Sequence, residues 1–124
     1  MKDGKHVILV IDDDQDILDA ARAVLESGGY IMVEAPSAHE GREVFDKEKP
    51  DLMIVDIMME EIDAGIAFVE EIRSTGFEGP MYFLSSIGDE LSKQISTSKL
   101  GVTGILQKPL KKELVLELID SQLK

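Results

Sequence analysis

Short apolar runs recur along the chain with helix-period stretches between them, and this alternation constrains the fold more than any other feature. The runs are His6 to Ile11, Tyr30 to Ala35, Leu52 to Val55, Met81 to Leu84 and the weaker Gly104 to Leu106. Runs this short and this uniformly apolar predict strands buried on both faces, the pattern of a parallel sheet covered by helices on each side. Between the first two runs, Ile17, Leu18, Ala21, Val24 and Leu25 fall on one helical stripe that Gly28-Gly29 ends. Ala38, Val44 and Phe45 predict a second helix after Pro36-Ser37, and Phe68, Val69 and Ile72 a third before Gly76. Leu91 and Ile95 predict a polar fourth helix before Gly101. Leu114, Val115, Leu118 and Ile119 predict a fifth, with Pro109 just before it, where a missing amide hydrogen costs nothing.

Five strand–helix units with short, right-handed connections leave few topologies. The one that fits 124 residues best is an α/β, flavodoxin-like, doubly wound sheet: five parallel strands in the order 2-1-3-4-5, with five helices. The length suits a single domain over residues 1–124. Thirteen Lys and Arg against 25 Asp and Glu give a net charge of −12, which disfavours non-specific binding to nucleic acid or an anionic membrane. The absence of cysteine excludes disulfides, thiolate metal sites and cysteine nucleophiles, and two histidines are too few for a multi-histidine zinc site. The apolar run Val7 to Ile11 is too short for a secretory core or a membrane span, so the expected setting is cytoplasmic.

In sheets of this kind functional groups gather beyond the carboxyl ends of the strands. The first run leads into Asp12-Asp13-Asp14, the third into Asp56, the fourth into Ser85-Ser86 and the fifth into Lys108-Pro109. Asp14 reads as the cap of the first helix. The others would converge acids, a hydroxyl and a lysine on one rim. Two carboxylates about 4 Å apart repel by about 4 kcal/mol at an effective dielectric of 20, so such a cluster demands cations. Lys108 supplies one charge. An oxygen-only donor set suits Mg²⁺, which keeps several waters and leaves room for a phosphoryl oxygen. A carboxylate beside such cations is a competent phosphoryl acceptor, and Asp56 holds that position. His6 and His39 read as surface histidines without an acidic partner at helical spacing.

With these pieces in order, the chain resembles the receiver domain of two-component response regulators over essentially its whole length. The matching segments are Ile8 to Asp14, Pro50 to Met59, Phe83 to Ser86 and Leu106 to Pro109. The resemblance implies that Asp56 accepts a phosphoryl group from a phosphohistidine on a sensor histidine kinase or a histidine phosphotransfer protein. It implies that Asp13, Asp56 and the Met58 carbonyl bind Mg²⁺, with Asp12 holding a metal-bound water. Ser85 and Lys108 would each contact a phosphoryl oxygen, and the Lys108–Pro109 bond would be cis. Such a domain is a switch that promotes only its own phosphotransfer and dephosphorylation, not a turnover enzyme. It would address a downstream partner protein through segment 89–123.

The chain departs from that family's pattern in four places. Glu60-Glu61 replace the usual Pro-Gly of the acceptor loop, and Ala64 replaces the usual glycine, with Gly65 one position late. Ile105 stands where many receivers carry an aromatic switch, which predicts a smaller reshaping of segment 89–123 on phosphorylation. Ser86 replaces a smaller residue and narrows the approach to Asp56. Two rival readings remain. The Asp12-x-Asp14 pair suggests a haloacid-dehalogenase-like phosphatase with Asp12 as nucleophile, though Asp16 stands where that family has threonine or valine. A binding-only pseudo-receiver would lack the acceptor or the lysine, and both are here.

Overall fold

Five strands form one parallel sheet in the computed structural model, which describes residues 2–57, 64–86 and 101–123. They are β1 (Val7–Ile11), β2 (Ile31–Ala35), β3 (Leu52–Asp56), β4 (Met81–Ser85) and β5 (Gly104–Gln107). Their order is β2-β1-β3-β4-β5 and every neighbouring pair is parallel, as the sequence predicts. Each apolar run coincides with a strand to within one residue at either end. The described helices are α1 (Gln15–Ser27), α2 (Ala38–Glu48), α3 (Ala64–Ser74) and α4 (Lys112–Leu123). The predicted helix over Leu91 and Ile95 lies outside the described residues.

Local chemistry sets the helix ends. Asp14 caps α1 by accepting the Asp16 N–H at 2.9 Å, and Gly29, at φ 86°, follows its last turn in a conformation costly for other residues. Ser37 caps α2 through the Glu40 N–H. Pro109 lies just before the last helix, which begins at Lys112, and the Lys108–Pro109 peptide is cis, as the resemblance implies.

Side chains alternate across each strand, so the sheet carries two apolar layers. Ile8, Val10, Ile54 and Leu84 pack with Leu18 and Leu25 of α1 and Val115 and Ile119 of α4. On the other face, Leu9, Ile11, Val55 and Phe83 pack with Phe68, Val69 and Ile72 of α3. Each large side chain buried this way contributes about 2 kcal/mol, so the stripes fix which helix face meets the sheet. At the β2 edge Arg22 donates to the Met32 carbonyl at 3.1 Å and pairs with Glu34 at 2.7 Å, which blunts an otherwise open strand. Among the described residues, no helix is long and apolar enough to cross a membrane.

Candidate functional site

Strand register decides which side chains reach the rim. Ile11 pairs with Val55, so Asp12 emerges from β1 level with Asp56, the last residue of β3. Asp56 in turn pairs with Leu84, and Ser85 pairs with Gln107. The ladder continues past the named strands: the Asp12 N–H donates to the Ala35 carbonyl at 3.2 Å, and the Lys108 N–H donates to the Ser85 carbonyl at 2.7 Å. Four strands thus deliver Asp12, Asp13, Asp56, Ser85 and Lys108 to one edge.

The carboxylates meet closely. Asp12, Asp13 and Asp56 each offer an oxygen, all within 4.8 Å of one another. Asp12 is fully buried and Asp56 is 4% exposed, whereas Asp13 faces solvent. The Lys108 ammonium lies 3.1 Å from Asp12 Oδ2 and 3.5 Å from Asp56 Oδ2. Asp12 Oδ1 accepts the Asp14 N–H at 2.9 Å. Its Oδ2 has the Lys108 ammonium beside it and no other donor among the described residues. Burial would lower the Lys108 pKa, but the Asp12 contact and the charges of Asp56 and Asp12 outweigh it and hold the ammonium above its ordinary value.

Among the described residues, three carboxylates, two of them buried, gather around one ammonium. At separations near 5 Å each carboxylate pair repels by about 3 kcal/mol at an effective dielectric of 20. The crowded carboxylates could hold a metal ion, and their hard oxygens, with Asp13 exposed, suit a hard cation.

Ser85 is fully buried, and its hydroxyl donates to the Ser86 carbonyl at 3.2 Å. Ile105 is half-buried and packs against the core layer that contains Phe83. Met58, Glu60 and Glu61 lie outside the described residues, as does the part of segment 89–123 before residue 101. One reading is corrected: His39 does have an acidic partner at helical spacing, its Nε2 lying 3.3 Å from Glu43 on the exposed face of α2. The sequence reading missed the place of Gly65, which packs directly on the backbone of Asp56 and Ile57. Glycine at the start of a helix carries no signal of what lies opposite.

A parallel sheet of this order, with acids, a hydroxyl and a lysine on successive strand ends, is the arrangement of the flavodoxin-like receiver class. Residues 8–120 match the family model described as the response regulator receiver domain, and the chain belongs to that family. It is 34% identical over 116 residues to the transcriptional regulatory protein GlrR of Escherichia coli K12, covering 94% of this chain and 26% of that protein. It is 30% identical over 117 residues to the response regulator MprA of Mycobacterium leprae, covering 94% of this chain and 50% of that one. The chain thus spans a quarter to a half of these curated relatives. A receiver domain protein from Clostridium thermocellum superposes with a TM-score of 0.84 at 28% identity, covering 95% of this chain and 94% of the other. The chemotaxis protein CheY4 of Vibrio cholerae does so with a TM-score of 0.84 at 26% identity, covering 97% and 100%.

Proposed function

We propose that Asp56 is the phosphoryl acceptor of a single receiver unit over residues 1–124, which takes the group from a phosphohistidine on a sensor histidine kinase or a histidine phosphotransfer protein. The observation that carries this is the placement of a nearly buried Asp56 carboxylate beside two further carboxylates and 3.5 Å from the Lys108 ammonium. An Asp56 oxygen attacks phosphorus as the bond to the donor imidazole nitrogen breaks, and the imidazole leaves with the electron pair. Lys108 pairs with a phosphoryl oxygen, exchanging part of its contact with Asp12 and Asp56 for the new anion. Ser85 donates to another phosphoryl oxygen once its hydroxyl turns from the Ser86 carbonyl. Asp12, Asp13 and Asp56, with the Met58 carbonyl, would hold Mg²⁺, which neutralises charge developing on the transferred group. Burial of Asp12 and its engagement by the Asp14 N–H and Lys108 disfavour it as the nucleophile of a phosphatase.

Signalling then depends on a change of shape that a downstream protein reads on segment 89–123. The described part of it presents Leu114, 59% exposed, on a groove of about 560 Å³ that Lys108 also lines. A phosphohistidine donor of this kind places the reaction in the cytoplasm. Incubation with acetyl phosphate and Mg²⁺, followed by reduction of the acyl phosphate with borohydride and peptide mass mapping, tests the reading. Label at Asp56 is expected. Label at Asp12, or none, overturns it.

A further inference from the structure

Gly65 begins the buried stripe of α3, followed by Phe68, Val69 and Ile72. A Cβ at this position would stand 2.5 Å from the carbonyl oxygen of Asp56, 3.0 Å from Ile57 Cα and 3.1 Å from the Ile57 carbonyl oxygen. All three are backbone atoms of the acceptor residue or its neighbour. The first contact falls short of the 3.4 Å at which ordinary contact begins. At Gly28 the nearest obstacle is instead the end of a flexible side chain, Leu116.

We infer that Gly65 is a positioning residue for Asp56: its missing side chain lets the first turn of α3 lie on the acceptor's own peptide group and fixes where the Asp56 carboxylate points. This rests on the reading of Asp56 as phosphoryl acceptor. Neither partner can retreat to admit a methyl group. The Ile57 N–H is held by the Leu84 carbonyl at 3.1 Å and its side chain is fully buried, so the end of β3 is pinned to β4. Phe68, Val69 and Ile72 are buried in the core layer beneath α3, so the helix is pinned as well. The strain therefore falls on the Asp56–Ile57 peptide itself, and any displacement of it against its Leu84 hydrogen bond moves the Asp56 carboxylate relative to Asp12 and Lys108. Misplacement of a reacting group by about 1 Å costs on the order of 100-fold in rate.

The test compares Gly65→Ala with Gly28→Ala, which adds the same methyl at the far end of α1 where only side chains must move. Maximal phosphorylation rates are read at saturating acetyl phosphate and Mg²⁺, with sucrose added so that circular dichroism shows each variant folded. The Asp56 carboxyl ¹³C resonance is read in the metal-free chain. Gly65→Ala is expected to slow the maximal rate 10- to 100-fold, in line with the cost of misplacing a reacting group, and to shift that resonance. Gly28→Ala is expected to lose thermal stability while leaving rate and resonance unchanged. Exchanging the pair, Ala64→Gly with Gly65→Ala, should stay slow, because the position and not the glycine count matters. A Gly65→Ala rate within twofold of the parent, equal slowing in both single variants, or recovery in the exchanged pair overturns the inference. A parent chain that takes no label on Asp56 overturns the acceptor reading instead.

Discussion

The two ends of the sheet use the same residue types in opposite ways. At the amino end Asp51 Oδ2 accepts the Val7 N–H at 2.8 Å, Tyr30 donates to Asp120, and Lys2 pairs with Glu48 at 3.0 Å. There, each acid meets a donor that ties one element to another. At the carboxyl end, among the described residues, three acids gather around Lys108. Like charges crowded in this way repel, a cost that folding alone does not call for. The contrast teaches that acids at the amino end tie elements together, whereas those at the carboxyl rim crowd into a cluster that could hold a metal ion.

The largest expected effect is at the shared lysine. Lys108→Met leaves the buried Asp12 and Asp56 carboxylates without their counter-charge and should destabilise the metal-free chain by about 3 kcal/mol in urea unfolding. The Lys108 pKa is raised in the folded state, so its contribution is complete below the ordinary lysine value and lost as pH climbs through the folded one. The gap between parent and variant should hold from neutral pH to about pH 10 and close above it. A gap that persists unchanged well above that pH would show that the lysine charge is not its source.

At the amino end the losses should be smaller and should leave the chemistry untouched. Asp51→Ala strands the Val7 N–H and should cost about 2 kcal/mol, with acetyl phosphate labelling of Asp56 unchanged. Tyr30→Phe should cost about 1.5 kcal/mol, because the hydroxyl donates to a carboxylate. Burial, then the Asp120 hydrogen bond and charge, push the Tyr30 pKa up, so this contribution too is present below about pH 10 and lost as pH rises further. Slower phosphorylation in either variant would mean the two ends are coupled and would break the contrast. The smallest effect belongs to Tyr82, whose buried hydroxyl meets no well-formed hydrogen-bond partner among the described residues; burial pushes its pKa up and the nearby Gln122 side chain opposes this. Tyr82→Phe should change stability by less than about 0.5 kcal/mol.

Much of this contrast was legible in the chain before any coordinates. Parallel strands buried on both faces leave uninterrupted apolar runs, and the residue that follows each run is the one that reaches the rim. Asp12, Asp56, Ser85 and Lys108 could therefore be named from local sequence, and Asp14 separated from them as a helix cap. The amino end could not be read in this way. Asp51 meets Val7 across 44 residues and Tyr30 meets Asp120 across 90, and nothing in either neighbourhood marks its partner. Arg73 is similar: besides the local Phe77 carbonyl at 2.8 Å, it clasps the Gly101 carbonyl at 2.9 and 2.6 Å across 28 residues, a contact that forms only once the chain ahead of β5 is in place. The pair of His39 with Glu43, by contrast, lay at the ordinary helical spacing.

Magnesium titration followed by thermal unfolding tests most directly the claim that the crowded acids of the rim take up a cation. In the parent chain the unfolding midpoint should climb steadily with Mg²⁺ concentration. In Asp56→Asn the metal-free midpoint should start higher, since one repelling charge is gone, and should respond far less. A parent midpoint indifferent to Mg²⁺, or an equal rise in both chains, would contradict the account.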